Sequence, residues 1–153
     1  SGDITAYEES EFLSYIYNYN EQTLIKPTFP PEIFIWPTET SKITQNFHKT
    51  HSGLDISNSH KVRVFASGSG EVISADYVAG YGKCIIIQHD EIFQTLYGHL
   101  SEIKVGVGQV VQQGQVIGIQ GNTGWVRGRT GIHLHFEIIK NGIKVNPLQY
   151  IKS

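Results

Sequence analysis

The sequence predicts a mostly β fold, and three observations carry that expectation. Sixteen glycines in 153 residues are enough to punctuate many short segments. Between them lie runs rich in Val, Ile, Thr and Tyr, the residue types that suit a pleated, half-buried surface. The run His133-Leu134-His135-Phe136-Glu137 also alternates with period two, sending Leu134 and Phe136 toward a core and both histidines to the other face. Many short strands closed by glycine turns suggest an antiparallel sandwich or split barrel. A chain of this length is the size of one domain with a real core, and little room is left for helix.

In chain order, the first thirty residues read differently from the rest. Phe12, Ile16 and Tyr19 fall on one helical stripe with Leu13 and Tyr17 beside it, which predicts a short amphipathic helix. Pro27, Pro30 and Pro31 then break regular structure, so the stretch 24–31 reads as a linker or strap. Residues 1–31 are thus expected to form an N-terminal helical extension and linker, and 32–153 the main domain. A strap packed on that domain is favoured over a segment regulating a cleft. Strand-like runs follow at Ile33–Trp36, Ile43–Phe47, Leu54–Ser57, Val62–Ala66, Glu71–Val78, Lys83–His89, Phe93–His99, Val110–Val111, Gln115–Gln120 and His133–Lys140. Asn141-Gly142 predicts a two-residue hairpin turn after the last of these, because both residues tolerate positive φ.

Three short stretches carry the chemistry: His51-Ser52-Gly53-Leu54-Asp55, Tyr97-Gly98-His99 and His133-Leu134-His135. His51 and Asp55 share a face on a strand or a helix, and Gly53 between them argues against the helix. A catalytic zinc takes three protein ligands and keeps a fourth position open. Five candidates exceed that need, and the surplus suits a hydrolytic site, which also requires groups that move protons and steady a developing oxyanion. Cys84 is the sole cysteine, so a cysteine-rich structural zinc site is excluded.

Taken together, His51-x-Gly53-x-Asp55, Tyr97-Gly98-His99-Leu100 and Gly131-Ile132-His133-Leu134-His135-Phe136-Glu137 resemble the lysostaphin/LytM-type zinc endopeptidases that cut peptide bonds in bacterial peptidoglycan. The resemblance runs from about Ile33 to Ile151 and includes the glycine-spaced strands between. It implies a two-sheet β core with the zinc in a groove, His51, Asp55 and His135 as zinc ligands, and His99 and His133 as catalytic residues. Two histidines and one carboxylate would leave the metal site with net positive charge, able to lower the pKa of a bound water toward ~7. Which of His99 and His133 acts as base and which steadies the oxyanion stays open.

The sequence also departs from the family pattern. Where Phe-Gly-x-Arg is usual before the first histidine, this chain has Phe47-His48-Lys49-Thr50-His51, so His48 is a stray ligand candidate, with a surface histidine favoured. About three residues are inserted in the loop before the H-x-H motif, making Trp125, Arg127 and Arg129 candidates for substrate contact alongside a plain solvated loop. Cys84, in Lys83-Cys84-Ile85-Ile86-Ile87, reads as a buried strand residue, which argues against a thiol protease. His60 and His89 lie beside turn residues and are expected at the surface. Tyr97 is read as either an oxyanion donor or a packed ring.

A net charge of −2 with mixed signs offers no basic stripe for nucleic acid. No apolar run reaches transmembrane length, and Ser1-Gly2-Asp3 carries no leader, so a native signal or anchor is expected to have been removed. The resemblance implies the cell envelope: periplasm, cell wall or outside the cell. The function read from the sequence is a monomeric, Zn2+-dependent endopeptidase acting on peptidoglycan cross-link peptide, the DD type favoured over the glycyl-glycine type. The alternatives are a catalytically inactive cell-wall-binding or amidase-activating relative, and a β module holding a structural zinc.

Overall fold

The computed structural model describes residues 33–57, 60–124 and 132–152. The chain is mostly antiparallel β, as expected, with strands β1 (Ile43–Gln45), β2 (Leu54–Ser57), β3 (Arg63–Phe65), β4 (Gly70–Val78), β5 (Gly82–Gln88), β6 (Phe93–Ile103), β7 (Val110–Val111), β8 (Val116–Gln120), β9 (His133–Lys140) and β10 (Ile143–Val145). A single 3-10 turn, Pro147–Gln149, is the only helical element among the described residues. The predicted N-terminal helix lies outside the described residues, as do Trp125, Arg127 and Arg129.

The strands run in the order β1-β2-β9-β6-β5-β4-β7, and β10 pairs with β9. The ladder forks at β6. Its first part, Phe93 to Gly98, pairs with β9, whereas Leu100 to Ile103 pairs with β8, which carries β3 on its far side. One hydrophobic core joins both arms: Leu54, Ile56, Leu134, Phe136 and Ile138 come from the β2–β9 side, Ile85, Ile87, Tyr97 and Leu100 from β5 and β6, and Val64 and Ile117 from β3 and β8. The expected two-sheet arrangement is thus realised as arms that share strand β6.

Most predicted strands form, with shifted ends. The hairpin forms at Asn141-Gly142, both at positive φ (53° and 79°), and sets Lys144 of β10 opposite Ile139 of β9. The run Ile33–Trp36 does not become a strand. Phe34 exchanges backbone hydrogen bonds with Tyr150 and Lys152, while the Ile35 N–H donates to Ser67 on another part of the chain. Because successive residues bond to different segments, no ladder can propagate, and the run serves as a tie with Phe34 in the core.

His89 is a correction to the sequence reading: it is buried, at 2% exposure. Its partners fix the direction of every proton in a buried chain. The Ser67 N–H donates to the Tyr97 hydroxyl at 2.9 Å, and Ser69 O accepts from His89 Nδ1 at 2.7 Å. Between these ends Tyr97 lies 2.7 Å from Thr95 Oγ1, and Thr95 Oγ1 lies 2.8 Å from His89 Nε2. Each group finds a partner only if Tyr97 donates to Thr95 and Thr95 to a neutral His89. A proton on Nε2 would reverse Thr95 and orphan a buried hydroxyl hydrogen. Tyr97 is therefore a core residue, and its hydroxyl is not an oxyanion donor.

Burial pushes the pKa of His89 from 6.5 down to about 4. The unfolded chain then takes the proton first, so the stabilisation is complete above pH 6.5 and is lost as pH falls from 6.5 toward 4. The full effect is on the order of 3 kcal/mol. Thermal unfolding of His89→Gln should show a smaller fall in Tm between pH 7 and pH 5 than the unmodified protein. Equal falls would show that His89 is not held neutral.

Candidate metal and hydrolytic site

Strand register builds the site. On β2 and β9, Asp55 lies opposite His135 and Ser57 opposite His133, while Leu54 and Ile56 face Phe136 and Leu134 on the core side. On the other edge of β9, Gly98 of β6 lies opposite His135 and Tyr97 opposite Phe136. The predicted common face of His133 and His135 is therefore present, and Asp55 joins it across the strand pair.

His51 reaches the same place from the turn before β2. His48 and His51 exchange backbone hydrogen bonds, and the Asn46 carbonyl accepts from His51 Nδ1 at 2.9 Å. That leaves Nε2 of His51 facing Asp55 Oδ2 at 3.2 Å. His135 Nδ1 lies 2.9 Å from Asp55 Oδ1. His51, Asp55 and His135 each offer one donor atom, and the three atoms lie within 4.8 Å of one another. This is the expected trio. His48 stays apart from it, exposed and turned to Gln45 and Thr50.

His99 arrives by a break in β6. Strict alternation after Tyr97 and Gly98 would send its side chain into the core. Instead its φ is 63°, and its ring lies 4.9 Å from the His133 ring and 6.0 Å from that of His135. The core side resumes at Leu100. Two contacts hold this left-handed residue, whose backbone costs roughly 1–2 kcal/mol: its N–H donates to the Tyr81 carbonyl at 2.6 Å, and its Nδ1 donates to the Thr123 carbonyl at 2.8 Å. The loop bearing Thr123 is set by Gly82 and Gly124, which have φ of 71° and 79° and touch backbone to backbone.

The electrostatics separate the histidines. For Asp55, burial opposes ionisation, but the His135 hydrogen bond and the three neighbouring imidazoles outweigh it and hold the carboxyl below the usual range. Burial opposes charge on His135 too, yet hydrogen bonds to Asp55 and Glu137 prevail and push its pKa up to about 9. An imidazole flanked by two carboxylates marks a place that favours positive charge, as a metal cation supplies. His99 and His133 behave oppositely: burial, with their imidazole neighbours, holds both below the ordinary 6.5 despite opposing contributions from the Thr123 carbonyl and Asp55. Both are neutral at pH 7. Cys84 is buried, and its thiol is pushed up to about 12, which removes it as a nucleophile.

Sequence reasoning passed over Glu137, Tyr81 and Lys144. Glu137 is fully buried on the strand of the H-x-H motif. Its Oε2 lies 2.9 Å from His135 Nε2 and accepts from Tyr81 at 2.9 Å and from Ser52; Lys144 lies 3.4 Å from Oε1. The one available signal was its place two residues beyond His135, on the same strand face.

Residues 49–147 match the family model for Peptidase family M23. The chain is 41% identical over 99 residues to the peptidoglycan DD-endopeptidase ShyA of Vibrio cholerae, covering 65% of this chain and 22% of that protein. It is 35% identical over 126 residues to the murein hydrolase activator NlpD of Escherichia coli, covering 80% of this chain and 32% of that protein. Among solved structures, a zinc-containing peptidase from Vibrio cholerae matches with a TM-score of 0.72 at 28% identity, over 80% of this chain and 41% of that one. The chain spans about a fifth to a half of the length of the curated relatives it matches.

Gly82 provides a test of how His99 is held. A Cβ there would lie 2.3 Å from the Thr123 carbonyl carbon, whereas at Gly80, also at positive φ, it would meet nothing within 4 Å. Gly80→Ala should cost only the backbone term, roughly 1–2 kcal/mol. Gly82→Ala should cost about 2–3 kcal/mol more, because backbone must move. Denaturant unfolding that finds the two variants equal would contradict the close packing of this loop.

Proposed function

Because the chain belongs to peptidase family M23, we propose that it is a zinc-dependent endopeptidase that hydrolyses peptide cross-links of bacterial peptidoglycan. The observation that carries this reading is the convergence of the His51, Asp55 and His135 donor atoms beside the neutral imidazoles His99 and His133. Two imidazole nitrogens and one carboxylate oxygen are the donor types of catalytic zinc sites. Zinc held by them supplies a Lewis acid for the scissile carbonyl and lowers the pKa of a water.

The remaining chemistry falls to His99 and His133. His99 has its Nδ1 proton committed to the Thr123 carbonyl, so its Nε2 lone pair is free to take a proton. His133 Nε2 lies 3.9 Å from Asp55 Oδ2, at the edge of the trio. Between them the two imidazoles accept the proton of the attacking water, return it to the leaving amine and donate to the developing oxyanion. A peptide bridge joining D-residues is favoured over a glycine bridge, in line with the similarity to the DD-endopeptidase. The site of action is then the cell envelope, with the protein acting as a monomer. The expectation of a strap at residues 1–31, which lie outside the described residues, before a catalytic domain at 32–153 predicts that deleting 1–28 lowers Tm and leaves the turnover of the folded fraction unchanged.

The similarity to a murein hydrolase activator supports a second reading, a non-catalytic relative that binds cell-wall peptide. The presence of all five positions favours the enzyme. His51→Ala and Asp55→Ala should lose zinc while staying folded. His99→Ala and His133→Ala should keep zinc and lose roughly 10²- to 10⁴-fold in hydrolysis of purified sacculi. Elemental analysis and turnover of the four variants check this. Stoichiometric zinc in His51→Ala would overturn the ligand assignment, and near-normal turnover of either His99→Ala or His133→Ala would overturn the role given to that residue.

A further inference from the structure

Resting on the zinc site proposed above, we infer that Glu137 is a positioning residue that fixes which nitrogen His135 presents to the metal, and that Tyr81 and Lys144 hold Glu137 for that task. His135 Nε2 lies 2.9 Å from Glu137 Oε2, and its Nδ1 faces Asp55 at 2.9 Å. A carboxylate can only accept, so Nε2 keeps its proton. Without metal, Asp55 holds a proton on Nδ1 in the same way; a metal taken up by Asp55 would replace that proton, so Nδ1 would ligate on the side where Asp55 and His51 converge while Glu137 keeps the proton on Nε2. Swapping the tautomer would aim a lone pair at an anion and a proton at the metal. A carboxylate behind a metal-bound imidazole also raises the ligand's basicity.

Glu137 is held from three further sides. Ser52, from the turn that delivers His51, donates to Oε2. The Tyr81 hydroxyl donates to the same oxygen and itself accepts from Lys144 Nζ at 3.0 Å; Lys144 also pairs with Oε1 at 3.4 Å. A carboxylate at 0% exposure would be costly without such partners. The placement of Tyr81 follows from Gly98. A Cβ at Gly98 would lie 3.4 Å from both the Tyr81 ring and its carbonyl, so the missing side chain opposite His135 makes room for that ring, whose centroid is 5.6 Å from the His135 ring. The Tyr81 carbonyl accepts the His99 N–H. Tyr81 therefore sets the backbone of His99 with its main chain and, through Glu137, the ring of His135 with its side chain.

A purely structural role for Glu137 would touch stability and nothing else, so the test reads the metal. Zinc affinity is measured by chelator competition, and the ring nitrogens of His135 by 15N NMR of histidine-labelled, zinc-loaded protein. In Glu137→Gln an amide replaces the carboxylate at nearly the same volume. Zinc affinity is expected to fall roughly ten- to a hundredfold, with the His135 Nε2 signal losing its strongly hydrogen-bonded N–H character. Tyr81→Phe keeps the charge and the ring, and should move both readouts the same way by a smaller amount. Unchanged zinc affinity and unchanged His135 signals in both folded variants would overturn the inference, even if Tm fell. Neither readout uses peptidoglycan: zinc binding that depends on Glu137 in a protein inert toward sacculi would support the inference and reject the endopeptidase, while a wild type that binds no zinc would reject both.

Discussion

Asp55 and His135 face each other across β2 and β9, 2.9 Å apart at the closest atoms, and every other feature of the site is arranged around that pairing. Its register is not set by the polar residues. Leu54, Ile56, Leu134 and Phe136 alternate with them and are fully buried. Slipping one strand by one residue would exchange its faces, pushing either Leu54 and Ile56 or Leu134 and Phe136 into the groove. At roughly 1.5–3 kcal/mol each, their burial outweighs the net worth of the Asp55–His135 contact. The core therefore holds the proposed metal ligands in place, and loss of a metal is expected to leave the fold standing.

Charge is organised in layers behind that pair. His135 lies between Asp55 and Glu137, and Glu137 is compensated by Lys144 at the rim. His99 and His133 sit on the far side of the trio, where burial and neighbouring imidazoles keep them uncharged. The same burial thus has two results. Where carboxylates flank an imidazole, a cation is favoured; where imidazoles crowd one another, proton acceptors remain. The first environment suits a bound cation and the second a proton acceptor, the two things that metal-assisted hydrolysis requires.

How much of this could be read from the chain alone follows from the range of the forces involved. The common face of His133 and His135 and the Asn141-Gly142 hairpin are local consequences of strand period and turn geometry, and both are present. Family membership followed from the ordered spacing of three motifs. Long-range partners were not legible. His89 looked like a turn histidine because only the fold brings Ser69 and Thr95 to its two nitrogens. Tyr97 reads as either an oxyanion donor or a packed ring, because nothing local signals the positive φ at His99 that turns the histidine to the site and leaves Tyr97 in the core. Tyr81 and Glu137 are 56 residues apart in sequence and meet only because Gly98 leaves room beside His135. The run Ile33–Trp36 had strand composition, yet its backbone partners are divided between two segments.

The central claim is that this cleft, loaded with zinc, opens peptide cross-links. Mass spectrometry of purified sacculi after incubation with the protein tests it most directly, with parallel samples treated with a chelator and then resupplied with zinc. The account predicts loss of cross-linked dimers and appearance of the matching uncross-linked peptides, abolished by the chelator and restored by zinc, with glycan strands intact. Unchanged cross-links in the presence of zinc, or cleavage that persists without metal, would contradict it.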